Sequence, residues 1–415
     1  MKITQLYHRG IQSTVFNAYL NIGLLILLFF LLGEGLTQAI FGTDSTKLIY
    51  RLVIVIPGLL LIPKYCAQLK ATSLILPICF LMYGVVSNLW SGEGGEAEFG
   101  SSFERGLYII SFLVTVYHCV DNSRIFEKGF VYLAAVAMVP TCADIVHYLF
   151  YSNHPRLHGA LGALNPNTIG LIYGISTLVF VNTVVARKTQ LNWGNALLLI
   201  SSIVAAIALF LTESRASILS LITAFALLFL IHRKTRVLVM IATVLISSTF
   251  SAMALRTLKF EDKSFESPIK SMVHRSTNRL PIWEDLIQRM EPAEYIYGRG
   301  ISVNKTINKS NSGDEKYIYP HSIYVSSFYY FGAIGFILNI LMLLVMLRAS
   351  FKQAIVGRSF LPCLFSFSLI PSLMDGNSIH PQLAYIAPHL LMFWFVYSLA
   401  TAERANYKIT SAANG

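Results

Sequence analysis

Charge is scarce in this chain: Asp, Glu, Lys and Arg make up only 13% of its 415 residues. A water-soluble domain carries about a quarter, so this density excludes an ordinary soluble globule. With 55% hydrophobic residues and a mean hydropathy of +0.59, lipid is the expected solvent. Cysteine is scarce as well. Cys66, Cys79, Cys119, Cys142 and Cys363 all fall in apolar stretches or inner regions, so no disulfide framework is expected. No paired Cys or His spacing suggests zinc, and DxD-like motifs in outer loops, internal repeats and low-complexity tracts are missing too. The expectation is therefore no metal and no cofactor.

Long apolar runs are what the chain has instead. A spanning helix needs about 20 such residues. Twelve stretches qualify, near 14–33, 47–63, 72–90, 106–120, 130–150, 168–185, 195–212, 216–232, 237–253, 320–347, 358–374 and 383–400. The first lacks a small-residue cleavage site and reads as an uncleaved helix. Lys and Arg placement then orients the chain. With both termini inside, Lys64, Lys70, Arg124, Lys128, Arg187, Lys188, Arg233 and Lys234 fall on inner loops, whereas the short outer loops carry Asp44, Glu93, Glu96 and Glu98. Most of the net charge of +11 is thus a topology signal, and nucleic acid need not be invoked. The expected architecture is an all-α integral membrane protein, a single domain over 1–415, with one long outward loop at 254–319 between the ninth and tenth helices.

Three outward clusters hold the chemistry-bearing residues. The first, Asn153 to Thr168, has a turn at Asn165-Pro166, a helix cap expected at Asn167 or Thr168, and Arg156, either a ligand contact or an interfacial anchor. The second, Thr212-Glu213-Ser214-Arg215, is a hairpin too short to leave the bilayer far. A guanidinium there needs an anion or a carboxylate beside it. Glu213 would serve within the protein, while the planar fork of Arg215 suits phosphate oxygens. The third is the long loop, whose basic and acidic residues nearly balance. Its stretch His274 to Leu286 reads as a helix with Pro281 in the first turn, placing Arg275 and Arg279 at or just before an N-terminus. The alternative is a solvated amphipathic surface helix. Tyr297-Gly298-Arg299-Gly300 is a glycine-flexible turn.

His321 closes the loop, followed by Gly332 and Gly335, which suit close helix packing. A histidine at an interface is either an amphipathic anchor or, with a pKa of about 6.5, a base for a hydroxyl at neutral pH. Asp375 either orients it or merely ends a helix. Asp144 and His147, ionisable residues inside an apolar stretch, are weaker candidates. Together the arginines fit a clamp on a pyrophosphate whose lipid tail lies among the helices.

The ordered set Arg156…Gly159…Asn165-Pro166-Asn167, Thr212-Glu213-Ser214-Arg215, Arg279…Trp283…Gly298-Arg299-Gly300 and His321-Ser322 with Gly332 and Gly335 resembles the bacterial O-antigen ligase/polymerase superfamily over roughly residues 150–345. That resemblance implies a fold similar to GT-C glycosyltransferases. It implies metal-independent, inverting transfer of a polysaccharide from undecaprenyl pyrophosphate to a sugar of lipid A-core, on the periplasmic face of the inner membrane. Under it Arg215 and Arg279 match pyrophosphate-binding arginines and His321 the base, with Arg156 and Asp375 as further substrate contacts, to which the helix start adds Arg275. A polymerase that joins repeat units on the lipid carrier is the alternative within the superfamily. A protein-directed transferase is disfavoured by the compact chain. Outside the superfamily the alternative is a twelve-helix lipid-linked glycan transporter, whose two halves would repeat.

Overall fold

A computed structural model describes residues 14–32, 48–68, 72–91, 95–121, 124–159, 165–187, 192–259, 279–301, 320, 322–374 and 393–402. Among these residues the regular structure is helical throughout. The first five helices are α1 (Thr14–Leu32), α2 (Ile56–Gln68, entered through a π turn at Arg51–Val55), α3 (Thr72–Val86), α4 (Gly95–Asp121) and α5 (Arg124–Phe150). Then come α6 (Pro166–Ala186), α7 (Trp193–Thr212), α8 (Arg215–His232) and α9 (Thr235–Lys259). The chain continues through the short α10 (Arg279–Gln288) and α11 (Glu294–Tyr297) to α12 (Ile323–Ile355), α13 (Phe360–Met374) and α14 (Phe393–Ala402).

Five of these helices, α6, α7, α8, α9 and α12, are long and apolar enough to cross a bilayer. Shorter apolar helices lie at Phe16–Ile26, Leu48–Pro63, Leu74–Trp90, Ala135–Phe150, Phe360–Leu373 and Phe393–Ala402. The stretch expected at 106–120 forms the second half of α4, and that at 383–400 is described only from 393. The described residues thus have the make-up of an all-helical membrane protein.

α6 sits at the centre. It is apolar on every side, and 89% of its membrane window is buried against neighbours, α7 foremost, with α8, α13 and α5 around it. A helix hydrophobic all round must be enclosed, and the small residues Gly170, Gly174 and Ser176 let its neighbours approach closely. The outer members α8 and α9 keep large apolar side chains such as Leu219, Leu230 and Phe250 exposed, as a lipid-facing surface requires.

Two local rules set the helix ends that matter. Asn165, not Asn167 or Thr168, caps α6, its side chain accepting from the Asn167 amide at 2.9 Å. The reason is Pro166: at the first helical position it needs no amide partner and fixes φ for the turn. α9 ends at Lys259 and not at 253, because Ala252-Met253-Ala254-Leu255-Arg256 contains neither Gly nor Pro and favours helix. Arg256 and Lys259 therefore ride on a helix instead of lying in the loop.

One hydrogen-bonded node fixes the sense of the bundle. His232, at the end of α8, meets the Ser359 hydroxyl at 2.9 Å, and that hydroxyl donates to Asn182 near the end of α6 at 2.9 Å. The start of α13 and the ends of α6, α8 and α12 thus share one end of the molecule. The start of α8, the end of α13 and the start of α12 share the other, which forms the rim.

Candidate functional site

The rim is built around the tight turn between α7 and α8. Glu213 closes α7 in the left-handed conformation (φ 53°), and its carboxylate forms an ion pair with Arg256 of α9. Arg215 is the first residue of α8. Ser214 stands at its N-cap without a side-chain capping bond; its hydroxyl lies 3.0 Å from that of Ser217 instead. Thr212, Ser214 and Ser217 are all buried. A helix start of this kind presents backbone amides and the positive end of the helix dipole.

The 151–159 segment is fastened over this turn from four sides. Arg156 donates from Nε to the Thr212 carbonyl at 2.8 Å and from Nη2 to Asn167 Oδ1 at 2.9 Å. The Leu157 amide donates to the Leu211 carbonyl at 2.8 Å. The Tyr148 hydroxyl donates to the Pro155 carbonyl at 3.1 Å. Lys259 donates to the carbonyls of Tyr148 and His154 at 2.6 and 3.0 Å, with its ammonium 3.4 Å from the Tyr148 ring centroid. The rings of His154 and His158 are 4.6 Å apart. Arg156 thus joins the 151–159 segment to the α7–α8 turn that carries Arg215, while Arg256 and Lys259 reach the same turn and segment from the end of α9.

The other half of the rim is the mouth of α12. α10 starts at Arg279, whose side chain falls outside the described residues, and Pro281 occupies its first turn as the sequence suggests. One turn further on, Trp283 donates from Nε1 to the Pro320 carbonyl at 2.6 Å, tying α10 to the backbone just before position 321. Ser322 caps α12, accepting from the Val325 amide at 3.4 Å. Arg299 is bound by Glu294 at 3.2 Å and by the Tyr329 hydroxyl at 3.1 Å. Burial alone would lower its pKa, but Tyr329 and Glu294 leave it above the usual guanidinium value, so it stays charged.

His321, Arg275 and Asp375 lie outside the described residues. The structure does bring the backbone of Arg279, the chain on both sides of position 321 and Arg215 to the same end of the bundle. It revises several expectations. Arg156 also staples the 151–159 segment to the α7–α8 turn, a tie that the sequence did not suggest. Glu213 pairs with Arg256, a residue absent from the expected site. The signal that could have found Arg256 and Lys259 is their spacing of three on an unbroken helix-forming run, which puts both on one helix face. Gly332 is no packing glycine within a continuous helix but the point where α12 breaks, at φ 61° and ψ −162°. Asp144 is buried and accepts from the Tyr173 hydroxyl of α6, a bond between helices.

Residues 200–340 match the family model described as O-antigen ligase. Across that stretch the chain is similar to the O-antigen ligase family. The matched span runs from the middle of α7 through the α7–α8 turn and α10 to just beyond the break in α12, so it contains Arg215, Arg279 and His321. No curated protein matches the chain. That similarity points to a glycosyltransferase-like membrane enzyme whose substrates are, in general terms, a lipid-linked polysaccharide and a lipid acceptor.

Proposed function

We propose that this protein is an O-antigen ligase that transfers polysaccharide from undecaprenyl pyrophosphate to a sugar hydroxyl of lipid A-core, at the periplasmic face of the inner membrane. The observation that carries this reading is Arg215 at the first position of α8, beside an N-cap whose hydroxyl makes no capping bond, inside the segment matching the O-antigen ligase family. Backbone amides, a helix dipole and a planar guanidinium at one point favour a diphosphate. Each guanidinium–phosphate contact at about 4 Å contributes about 4 kcal/mol at an effective dielectric of 20, and charge grows on the pyrophosphate as it leaves.

In this reading Arg215 and Arg279 hold the pyrophosphate, with Arg275, Arg156 and Asp375 as further substrate contacts. His321 takes the proton of the acceptor hydroxyl. The acceptor oxygen attacks the anomeric carbon, a new C–O bond forms there, and the bond to pyrophosphate breaks on the opposite face. Undecaprenyl pyrophosphate leaves with the electron pair and the configuration inverts. The reading includes a GT-C-like bundle of about twelve spans with residues 254–319 outside and both termini in the cytoplasm.

A strain lacking the gene tests the reading through its surface lipopolysaccharide. Bare core with glycan stranded on undecaprenyl pyrophosphate is the expected result. Core bearing a single repeat unit would indicate a polymerase instead, and unchanged lipopolysaccharide would refute both.

A further inference from the structure

In an unbroken helix the carbonyls of Tyr329 and Tyr330 would accept from amides four residues on. The break at Gly332 releases them. The Tyr329 carbonyl accepts from the Arg299 amide at 3.1 Å, and the Tyr330 carbonyl from the Gly300 amide at 2.9 Å. Residues 298–300 thus stand in for a missing helical turn. The approach is backbone on backbone. A Cβ at Gly298 would lie 2.3 Å from the Tyr330 carbonyl oxygen, and one at Gly300 would lie 2.5 Å from the Ser87 carbonyl oxygen. On the far side, Trp90 donates to the Gly298 carbonyl at 3.2 Å and Tyr83 to the Tyr297 carbonyl at 3.0 Å. The Arg299 side chain then crosses from Glu294 in α11 to Tyr329 in α12.

The portion Ile323–Phe331 is therefore a separate half-helix. The docked 298–300 segment holds its inner end, while the Trp283–Pro320 bond and the Ser322 cap hold its outer end. Position 321 lies between those last two restraints. Half-helices formed by a break inside a membrane are recurrent carriers of substrate-site groups.

We propose that Arg299 is a positioning residue for glycan transfer: it locks the half-helix Ile323–Phe331 to α11 and so sets where the residue at 321 meets the acceptor. This rests on the reading above only in taking His321 as the base. In this proposal Arg299 acts through the half-helix and not on the substrates, so its removal misplaces the base and leaves donor binding intact. A misplacement of about 1 Å costs on the order of 10²-fold in rate.

The test uses full-length protein in lipid nanodiscs with the undecaprenyl-pyrophosphate-linked donor and lipid A-core. Arg299→Ala is expected to lower kcat by about 10²-fold with donor KM changed less than about twofold. Tyr329→Phe, which deletes a single hydroxyl, is expected to lower kcat by a smaller factor with the same split; it serves also if Arg299→Ala fails to fold. Arg299→Lys, which keeps the pairing with Glu294, should recover part of the loss. A loss of folded protein with normal kcat per folded molecule would mean a purely structural role and overturn the proposal. So would a rise in donor KM that matches the fall in rate. Wild-type kcat in both variants while His321→Ala is inactive overturns the positioning role alone. Activity in His321→Ala overturns the base assignment and the proposal with it.

Discussion

Replacing Gly332 with alanine probes the break in α12 directly. A methyl group there would lie 2.4 Å from the Ile296 carbonyl oxygen and 2.5 Å from the Gly298 nitrogen. Both atoms are backbone, so no side chain can swing aside. The conformation itself, φ 61° and ψ −162°, is one that side-chain-bearing residues scarcely adopt and costs them about 1–3 kcal/mol. Moving the two segments apart to relieve the clash loses the Arg299–Tyr329 and Gly300–Tyr330 backbone bonds, about 1 kcal/mol each. The combined penalty is about 3–5 kcal/mol. Two controls separate the contributions. Gly357 has φ 75° and open space within 4 Å of where a methyl would sit, so Gly357→Ala carries backbone strain alone, about 1–2 kcal/mol. Gly100, inside α4 with equally open surroundings, should gain about 0.5–1 kcal/mol from alanine. Thermal unfolding of the detergent-solubilised variants, followed by tryptophan fluorescence, should rank them Gly100→Ala, wild type, Gly357→Ala, Gly332→Ala in falling stability. If Gly332→Ala melts with the wild type, α12 is continuous and the docking of residues 298–300 is refuted.

Arg215→Lys keeps the charge and loses the planar fork, so donor KM should rise about tenfold or more with unfolding temperature unchanged; an unaltered KM would show that charge alone suffices. The Glu213 and Arg256 side chains are 36% and 37% exposed, so breaking that pair should cost under about 1 kcal/mol of stability. Its effect should instead appear in transfer: Glu213→Arg and Arg256→Glu each impair it, and the double reversal restores it, as a double-mutant cycle on transfer rates would show. Lys259→Met removes two carbonyl contacts and the ammonium over Tyr148. Amides of residues 151–159 should then exchange hydrogen faster by about tenfold or more, equivalent to about 1–2 kcal/mol, and unchanged exchange would show that Lys259 does not fasten the segment.

Much of the helical layout was legible because its cause is local. A run of about 20 apolar residues specifies a helix wherever it occurs, whereas the cap of α6 lies at Asn165, two residues before the expected position, because Pro166 suits the first helical turn. Arg215 stood out because charge is rare in such a chain. The rest depends on partners remote in sequence. Glu213 finds Arg256 at a separation of 43 residues, Arg156 finds Thr212 at 56, and Trp90 finds Gly298 at 208. No local pattern encodes those pairings. Gly332 shows the same limit: a glycine that lets helices pack closely and a glycine that breaks a helix look alike until φ is known. The end of α9 was misjudged for a different reason, since Arg256 and Lys259 signal departure from lipid while their helix propensity carries the helix onward.

Guanidinium groups at the rim that recognise a diphosphate are the centre of the proposed mechanism. The most direct test is the binding of undecaprenyl pyrophosphate against undecaprenyl monophosphate to purified wild-type protein and to Arg215→Ala. The expected result is at least about tenfold preference for the diphosphate in the wild type, about 1.4 kcal/mol, and loss of most of that preference in Arg215→Ala. Equal binding of the two lipids by the wild type, or an undiminished preference in the variant, would contradict it.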